Sequence, residues 1–161
     1  MSEAPEIKVE FRSNPAYLCA IREMVNLLSR RSGFADSTSN KIALAVDEAL
    51  ANVMNHGYAK RADGLIWLTI SRRETAGRLD GFRIVIEDEG RQVEPEQIKS
   101  RDLADIRPGG LGVHIIKEVM DVAKYEKREG GKGMRLTLEK NVEPGATGSS
   151  CGCTDRGGPC G

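Results

Sequence analysis

Residues Ile42–Tyr58 read I-A-L-A-V-D-E-A-L-A-N-V-M-N-H-G-Y, two stripes on one helical ladder. Ile42, Ala45, Val46, Ala49, Leu50 and Val53 recur at helical spacing and make an apolar face. Ser37, Thr38 and Ser39 stand ahead of it as candidate N-caps, and Gly57 is placed to end the helix. The second stripe is polar. Glu48 and Asn52 are i and i+4, so they lie one above the other, roughly 120° from the centre of the apolar face. A carboxylate and an amide there border the core without entering it, where a ligand site beside a sheet's edge would put them.

The rest of the chain sets bounds on what that helix serves. Its 161 residues suffice for one domain with a real core. Lysine plus arginine equals aspartate plus glutamate, so formal net charge is zero and no global field points to nucleic acid or an acidic membrane. Aromatics at 4% are too few for stacking platforms on single-stranded nucleic acid. No apolar run approaches a membrane span, and M-S-E-A-P-E lacks the basic and apolar parts of a signal sequence. A soluble cytoplasmic protein is expected. Cys19, beside the Leu18/Ile21 stripe, reads as a small buried hydrophobe. Cys151, Cys153 and Cys160 lie in a Gly-rich tail without histidine, one ligand short of a closed zinc site.

Outward from Ile42–Tyr58, the elements follow from periodicity and punctuation. Ile7–Phe11 alternates as a first strand, and Ser13 or Asn14 caps a helix carrying Pro15 in its first turn and Leu18, Ile21, Val25 and Leu28 as its stripe. Gly33 stops it. The polar-striped helix is expected from about Asp36 to Asn55. Gly64–Glu74 and Leu79–Asp88 read as strands joined in a hairpin, with Trp67 on the sheet. Glu89–Gly112 is a long polar connection of the kind that forms a lid or binding loop. A short amphipathic helix follows at Val113, Ile116, Val119 and Met120, then strands Val122–Lys127 and Met134–Lys140. The order β-α-α-β-β-loop-α-β-β implies an α+β two-layer sandwich, a mostly antiparallel sheet with helices on one face. The folded domain is expected over 1–140, with a disordered tail over 141–161.

Three sites could carry chemistry. Gly109-Gly110-Leu111-Gly112 opens a helix, and three glycines let a backbone with free N–H groups approach a phosphate. Asp88-Glu89-Gly90 ends an apolar strand, so the carboxylate lies near the core and needs a donor such as the exocyclic amine of a base. Asn52 offers a neutral oxygen suited to Mg²⁺, and Glu48 can accept a proton from a hydroxyl or water. Each alone has an ordinary alternative: a Gly-rich turn, a turn aspartate bonding its own backbone, a solvated helix flank.

In order, E-x-x-x-N, then D-x-G after a strand, then G-G-x-G before a helix resembles the Bergerat-fold, or GHKL, ATP-binding family. The run E-A-L-A-N-V-M-N-H-G-Y, the single small domain and the closing G-M-R-L-T-L-E-K resemble its anti-sigma-factor serine/threonine kinase branch, over about Ile7–Lys140. The resemblance implies a role for each matching position. Glu48 is the catalytic base toward a protein hydroxyl, and Asn52 holds Mg²⁺ bridging the ATP phosphates. Asp88 accepts from the adenine amine, with Gly90 giving the base room. Gly110, Leu111 and Gly112 belong to a lid whose amides meet the phosphates. Arg107 resembles a basic residue near the γ-phosphate, and Thr137 resembles a family threonine near adenine and Asp88. His56 is expected to support the helix end. The chain departs from the family pattern at Gln92, where a further glycine is usual, and at Pro108, which stiffens the lid beside Arg107.

The function so implied is an ATP-dependent protein serine/threonine kinase acting as an anti-sigma factor. It would bind a sigma factor, phosphorylate a STAS-domain anti-anti-sigma protein, and form a homodimer through the first strand and helix. The second reading is an ATP-sensing binding module that sequesters a partner without phosphate transfer. A detached histidine-kinase ATPase half is disfavoured, because no helix pair carrying a phosphoacceptor histidine is present.

Overall fold

Alternating and helical apolar patterns fold into two layers. The computed structural model describes residues 6–98 and 111–142. Its elements are β1 (Ile7–Arg12), α1 (Leu18–Arg31), α2 (Asp36–Asn52), β2 (Leu65–Thr75), β3 (Arg78–Asp88), α3 (Leu111–Val119), β4 (Val122–Lys127) and β5 (Met134–Asn141). Short 3₁₀ turns occupy Pro15–Tyr17 and Pro95–Gln97, and α2 runs on into a π-helical turn at Val53–Gly57. All strand pairs are antiparallel, in the order β1-β2-β3-β5-β4. The α+β class and the element order are as expected from sequence.

Strand alternation decides which face is covered. Ile66, Leu68 and Ile70 of β2, Ile84 and Ile86 of β3, and Leu136 and Leu138 of β5 are buried. They form one cluster with Val25 of α1, Ile42, Val46, Ala49 and Leu50 of α2, and Ile116 of α3. Each fully buried Leu, Ile or Val contributes about 1.5–3 kcal/mol of transfer free energy, so this face holds the layers together. The alternate residues, including Trp67, Val85, Glu87 and Thr137, lie on the opposite face of the sheet.

Local chemistry sets the ends. Asn14 caps the turn before α1, its Oδ1 accepting from Ala16 N–H at 3.0 Å. Ser13 is buried and instead accepts from Gly64 N–H at 3.0 Å. Gly33 leaves α1 at φ +91°, a conformation that favours glycine. The β2–β3 hairpin closes through Ala76 and Gly77 at φ 53° and 74°, positive at both positions as a type I′ turn requires.

Four expectations need correction. Ser37, Thr38 and Ser39 do not cap α2: the helix begins at Asp36, its cap position is Ala35, and no side chain bonds there. The α-helical part ends at Asn52, before the expected Asn55, because the last turn widens. Cys19 is exposed, since two residues before the buried Ile21 is about 200° around the helix. The last strand continues through Asn141, one residue past the expected Lys140, and Val142 N–H donates to the Asp80 carbonyl at 3.0 Å. Arg107, Pro108, Gly109 and Gly110, and the cysteines of the tail, lie outside the described residues.

Candidate functional site

Asp88 is the last residue of β3 and shares the helix-facing side of that strand with Ile84 and Ile86. It is 2% exposed. Burial raises its carboxyl above the ordinary carboxylate value, opposed by N–H donors from Gly90 and Met134 and by the charge of Arg128. Gly90 N–H reaches Oδ1 at 2.7 Å and Met134 N–H reaches the same oxygen at 3.4 Å. Among the described residues no donor goes to Oδ2. One oxygen of a buried carboxylate is therefore fixed, and the other has no donor among the described residues.

Backbone segments close tightly around that carboxylate. Arg91 N–H donates to the Gly57 carbonyl at 2.9 Å, and Gly133 N–H donates to the Gly90 carbonyl at 2.7 Å. A Cβ on Gly90 would lie 2.6 Å from the backbone carbon and oxygen of Gly57. At Gly133, φ is +84° and a Cβ would overlap the Asp88 carbonyl oxygen. Tyr58, 3% exposed, accepts from Glu89 N–H at 2.7 Å and donates to the Leu65 carbonyl. Burial raises its phenol above the ordinary value. Gln92, the departure from the family pattern, donates from Nε2 to the carbonyls of Arg128 and Gly133 at 2.8 and 3.0 Å. The side chain does by hydrogen bonding what a flexible glycine would leave open.

The other end of the site rests on α2. Seven buried residues of α2, from Ser39 to Leu50, fix its rotation, and this leaves Glu48 and Asn52 half-buried at its flank, about 6 Å apart along the axis. Neither side chain has a hydrogen bond or ion pair to another described residue. Against Glu48 lies the start of α3: a Cβ on Gly112 would sit 2.6 Å from Glu48 Oε2. Leu111, 56% exposed, is the first residue of that nine-residue helix, whose free N–H groups favour an anion. His56 is exposed within the π turn. Near Asp88, that turn brings Gly57 to where its Cβ would be 3.7 Å from Oδ1.

Gly112 at the start of α3 thus meets Glu48, and Gly57, at the end of the π turn that follows Asn52, meets both Asp88 and Gly90. Thr137 lies elsewhere. It pairs with Val85 and Lys124 on the face opposite the buried Leu136 and Leu138, so its side chain points away from Asp88. The residue of β5 that meets Asp88 is Met134, through its N–H. Tyr58, Arg128 and Gly133 also surround Asp88, and no role for them was expected from sequence. Only Gly133 had a local signal, as the last glycine of G-G-K-G before a strand.

Among the described residues no three His, Cys, Asp or Glu side chains gather as a metal cluster. The donor set fits Mg²⁺ all the same, because that ion takes few protein ligands and completes its shell with water and phosphate. Asn52, half-buried and without a protein partner, is a suitable single oxygen ligand.

Residues 11–140 match the histidine kinase-like ATPase domain family, and the chain belongs to it. Within that class it is similar to the serine-protein kinase RsbW of Oceanobacillus iheyensis, at 27% identity over 81% of this chain and 84% of that protein. It is 31% identical to the serine/threonine-protein kinase BtrW of Bordetella bronchiseptica over 63% of this chain and 71% of that one. Among solved structures, the SiaB-SiaC complex of Pseudomonas aeruginosa shares the fold at TM-score 0.60 and 10% identity, covering 87% of this chain and 92% of that chain. A histidine kinase domain from Erythrobacter litoralis aligns at TM-score 0.45 and 23% identity, and this chain spans 59% of its length.

Proposed function

We propose that this protein is an ATP-dependent protein serine/threonine kinase of the partner-switching type. The observation that carries the proposal is the seating of Gly112 against Glu48: a helix N-terminus suited to phosphate stands beside a carboxylate that has no protein partner. Asp88 would accept from the adenine amine through its open oxygen, and Asn52 would ligate Mg²⁺. When bound, that ion neutralises phosphate charge. Glu48 accepts the proton of the attacking serine or threonine hydroxyl, and the remaining catalysis is positioning.

Arg107, Gly110 and Leu111 complete the phosphate end in this proposal. The partners are a STAS-domain anti-anti-sigma protein as phosphoacceptor and a sigma factor as the sequestered protein, in line with the similarity to RsbW. A homodimer would use β1 and α1. Among the described residues the β1 strand lies at the sheet edge, the kind of position where backbone groups can pair with another chain, and sedimentation at 17.6 kDa alone would exclude the dimer. Among the described residues no helix is long and apolar enough to cross a membrane.

The deciding experiment follows the labelled γ-phosphate of ATP onto a STAS-domain protein. Glu48→Ala is expected to lose about 10²- to 10⁴-fold in transfer, the usual loss for a general base, while ATP binding remains measurable. Undiminished transfer would remove Glu48 from that role. Wild-type protein that binds ATP yet adds no phosphate to any partner would favour an ATP-sensing module.

A further inference from the structure

The β4–β5 turn R-E-G-G-K-G carries one side chain that joins the exit of β3 to Trp67 on the sheet face away from the helices. Arg128 Nη1 donates to the Asp88 carbonyl oxygen at 2.7 Å. Its Nε lies 3.5 Å from Glu87 Oε1, and its Cζ sits 5.0 Å from the centroid of the Trp67 ring. Trp67 in turn donates from Nε1 to Glu10 Oε2 at 2.6 Å. The Arg128 backbone is held as well, its N–H donating to the Gly133 carbonyl at 3.1 Å and its carbonyl accepting from Gln92. A planar guanidinium stacked on a ring and aimed at a carbonyl is a fixed part, and lysine does not reproduce that geometry.

The place it holds matters. The β3–β5 ladder ends at the pair Glu87–Arg135, so the Asp88 carbonyl lies just beyond it and needs a donor from elsewhere. Arg128 supplies one. The peptide it grips joins Asp88 to Glu89, whose N–H is bound by Tyr58. Displacement of that peptide would shift the Asp88 backbone, and with it the side chain held between Gly57 and Met134.

We propose that Arg128 is a positioning residue for base recognition: by gripping the Asp88 carbonyl it sets adenine affinity and selectivity, and through its stack it makes Trp67 a reporter of nucleotide occupancy. The proposal rests on the adenine-nucleotide reading of the pocket and needs no phosphate transfer. Arg128 touches neither Glu48 nor Asn52, so its effect belongs to the base and not to the phosphates. Trp67 is the one tryptophan of the chain, so its emission is read without interference.

The test compares wild type, Arg128→Met and Arg128→Lys by calorimetry with Mg·ATP, Mg·GTP and inorganic tripolyphosphate, alongside Trp67 emission. Arg128→Met is expected to weaken ATP about tenfold, as loss of one charge-assisted hydrogen bond would. The ATP-over-GTP preference should fall with it, tripolyphosphate affinity should stay unchanged, and the emission response to ATP expected of wild type should vanish. Arg128→Lys should fall between. A folded Arg128→Met that binds ATP as wild type does, or that loses ATP and tripolyphosphate equally, overturns the proposal. If Arg128→Met does not fold, Arg128→Lys decides: unchanged ATP affinity and unchanged emission response overturn it. Wild type that binds ATP but phosphorylates nothing defeats the kinase reading and leaves this one standing. Wild type that binds no adenine nucleotide defeats both.

Discussion

The two ends of the candidate site are built on opposite plans. Around Asp88 three chain segments meet through backbone hydrogen bonds, two glycines that tolerate no Cβ, and the buried hydroxyl of Tyr58. Around Glu48 and Asn52 there are only a helix flank, the start of α3 and side chains without protein partners among the described residues. In the proposed function a base is recognised by one fixed geometry, which suits a preformed end. The phosphate end would accept metal, phosphates and a protein hydroxyl in turn, and bonds made in advance to its own side chains would have to be broken each time.

If that contrast holds, substitutions at the first end act on folding and those at the second act on chemistry. The largest expected stability effect is Gly133→Ala, which combines a positive φ with overlap on the Asp88 carbonyl. We expect a loss of about 3 kcal/mol or more, seen as a lowered denaturant midpoint. A near-native midpoint would show that the β4–β5 turn yields and that the base end is not rigid. Next is Tyr58→Phe, which leaves the Glu89 N–H without its acceptor. The expected cost is about 1–2 kcal/mol with weakened ATP binding, and melting together with calorimetry would separate the two.

Acid titration sharpens the contrast further. Burial raises the Asp88 carboxyl above its ordinary value of 3.8, so the folded state takes up a proton in the window above that value. The stability this group contributes is complete below the unfolded value and is lost as pH rises through the folded one. The stability advantage of Asp88→Asn over wild type should therefore grow as pH rises above 3.8 toward neutrality. A constant difference across that range would mean that the carboxylate is compensated fully in the fold. The smallest stability effect is expected for Gly112→Ala. Its Cβ meets the far end of the Glu48 side chain, which can shift, and alanine favours the helix, so stability should stay within roughly 0.5 kcal/mol. Phosphate transfer should fall nonetheless, with ATP affinity retained; a variant with full transfer would detach α3 from the chemistry.

The phosphate end was the more legible of the two. Glu48 and Asn52 are local on one helix, and periodicity alone set them at the edge of the core. The strands and the helix order were equally local. The base end was visible only as Asp88 and Gly90, because what completes it comes from far along the chain. Gly57, Gly90 and Gly133 meet through backbone approach, which leaves no periodic trace. Thr137 was misplaced for a related reason. Its neighbours Leu136 and Leu138 mark the buried face, but only the β3–β5 register shows that Asp88 shares that face and Thr137 does not. The wide π turn at the end of α2 was likewise unreadable, since its i→i+5 bond from Tyr58 N–H to the Val53 carbonyl at 2.9 Å depends on the packing below it.

One consequence follows from α2 serving both core and site. The helix works as a lever: its buried stripe is the fulcrum, and the Glu48 carboxylate rides near the rim, about 5–6 Å from the axis. A rotation of only about 10° would carry that carboxylate roughly 1 Å, a misplacement that can cost an enzyme about 10²-fold in rate. Ala45 and Ala49, buried on the core face of that helix, therefore help to set the aim of the Glu48 carboxylate.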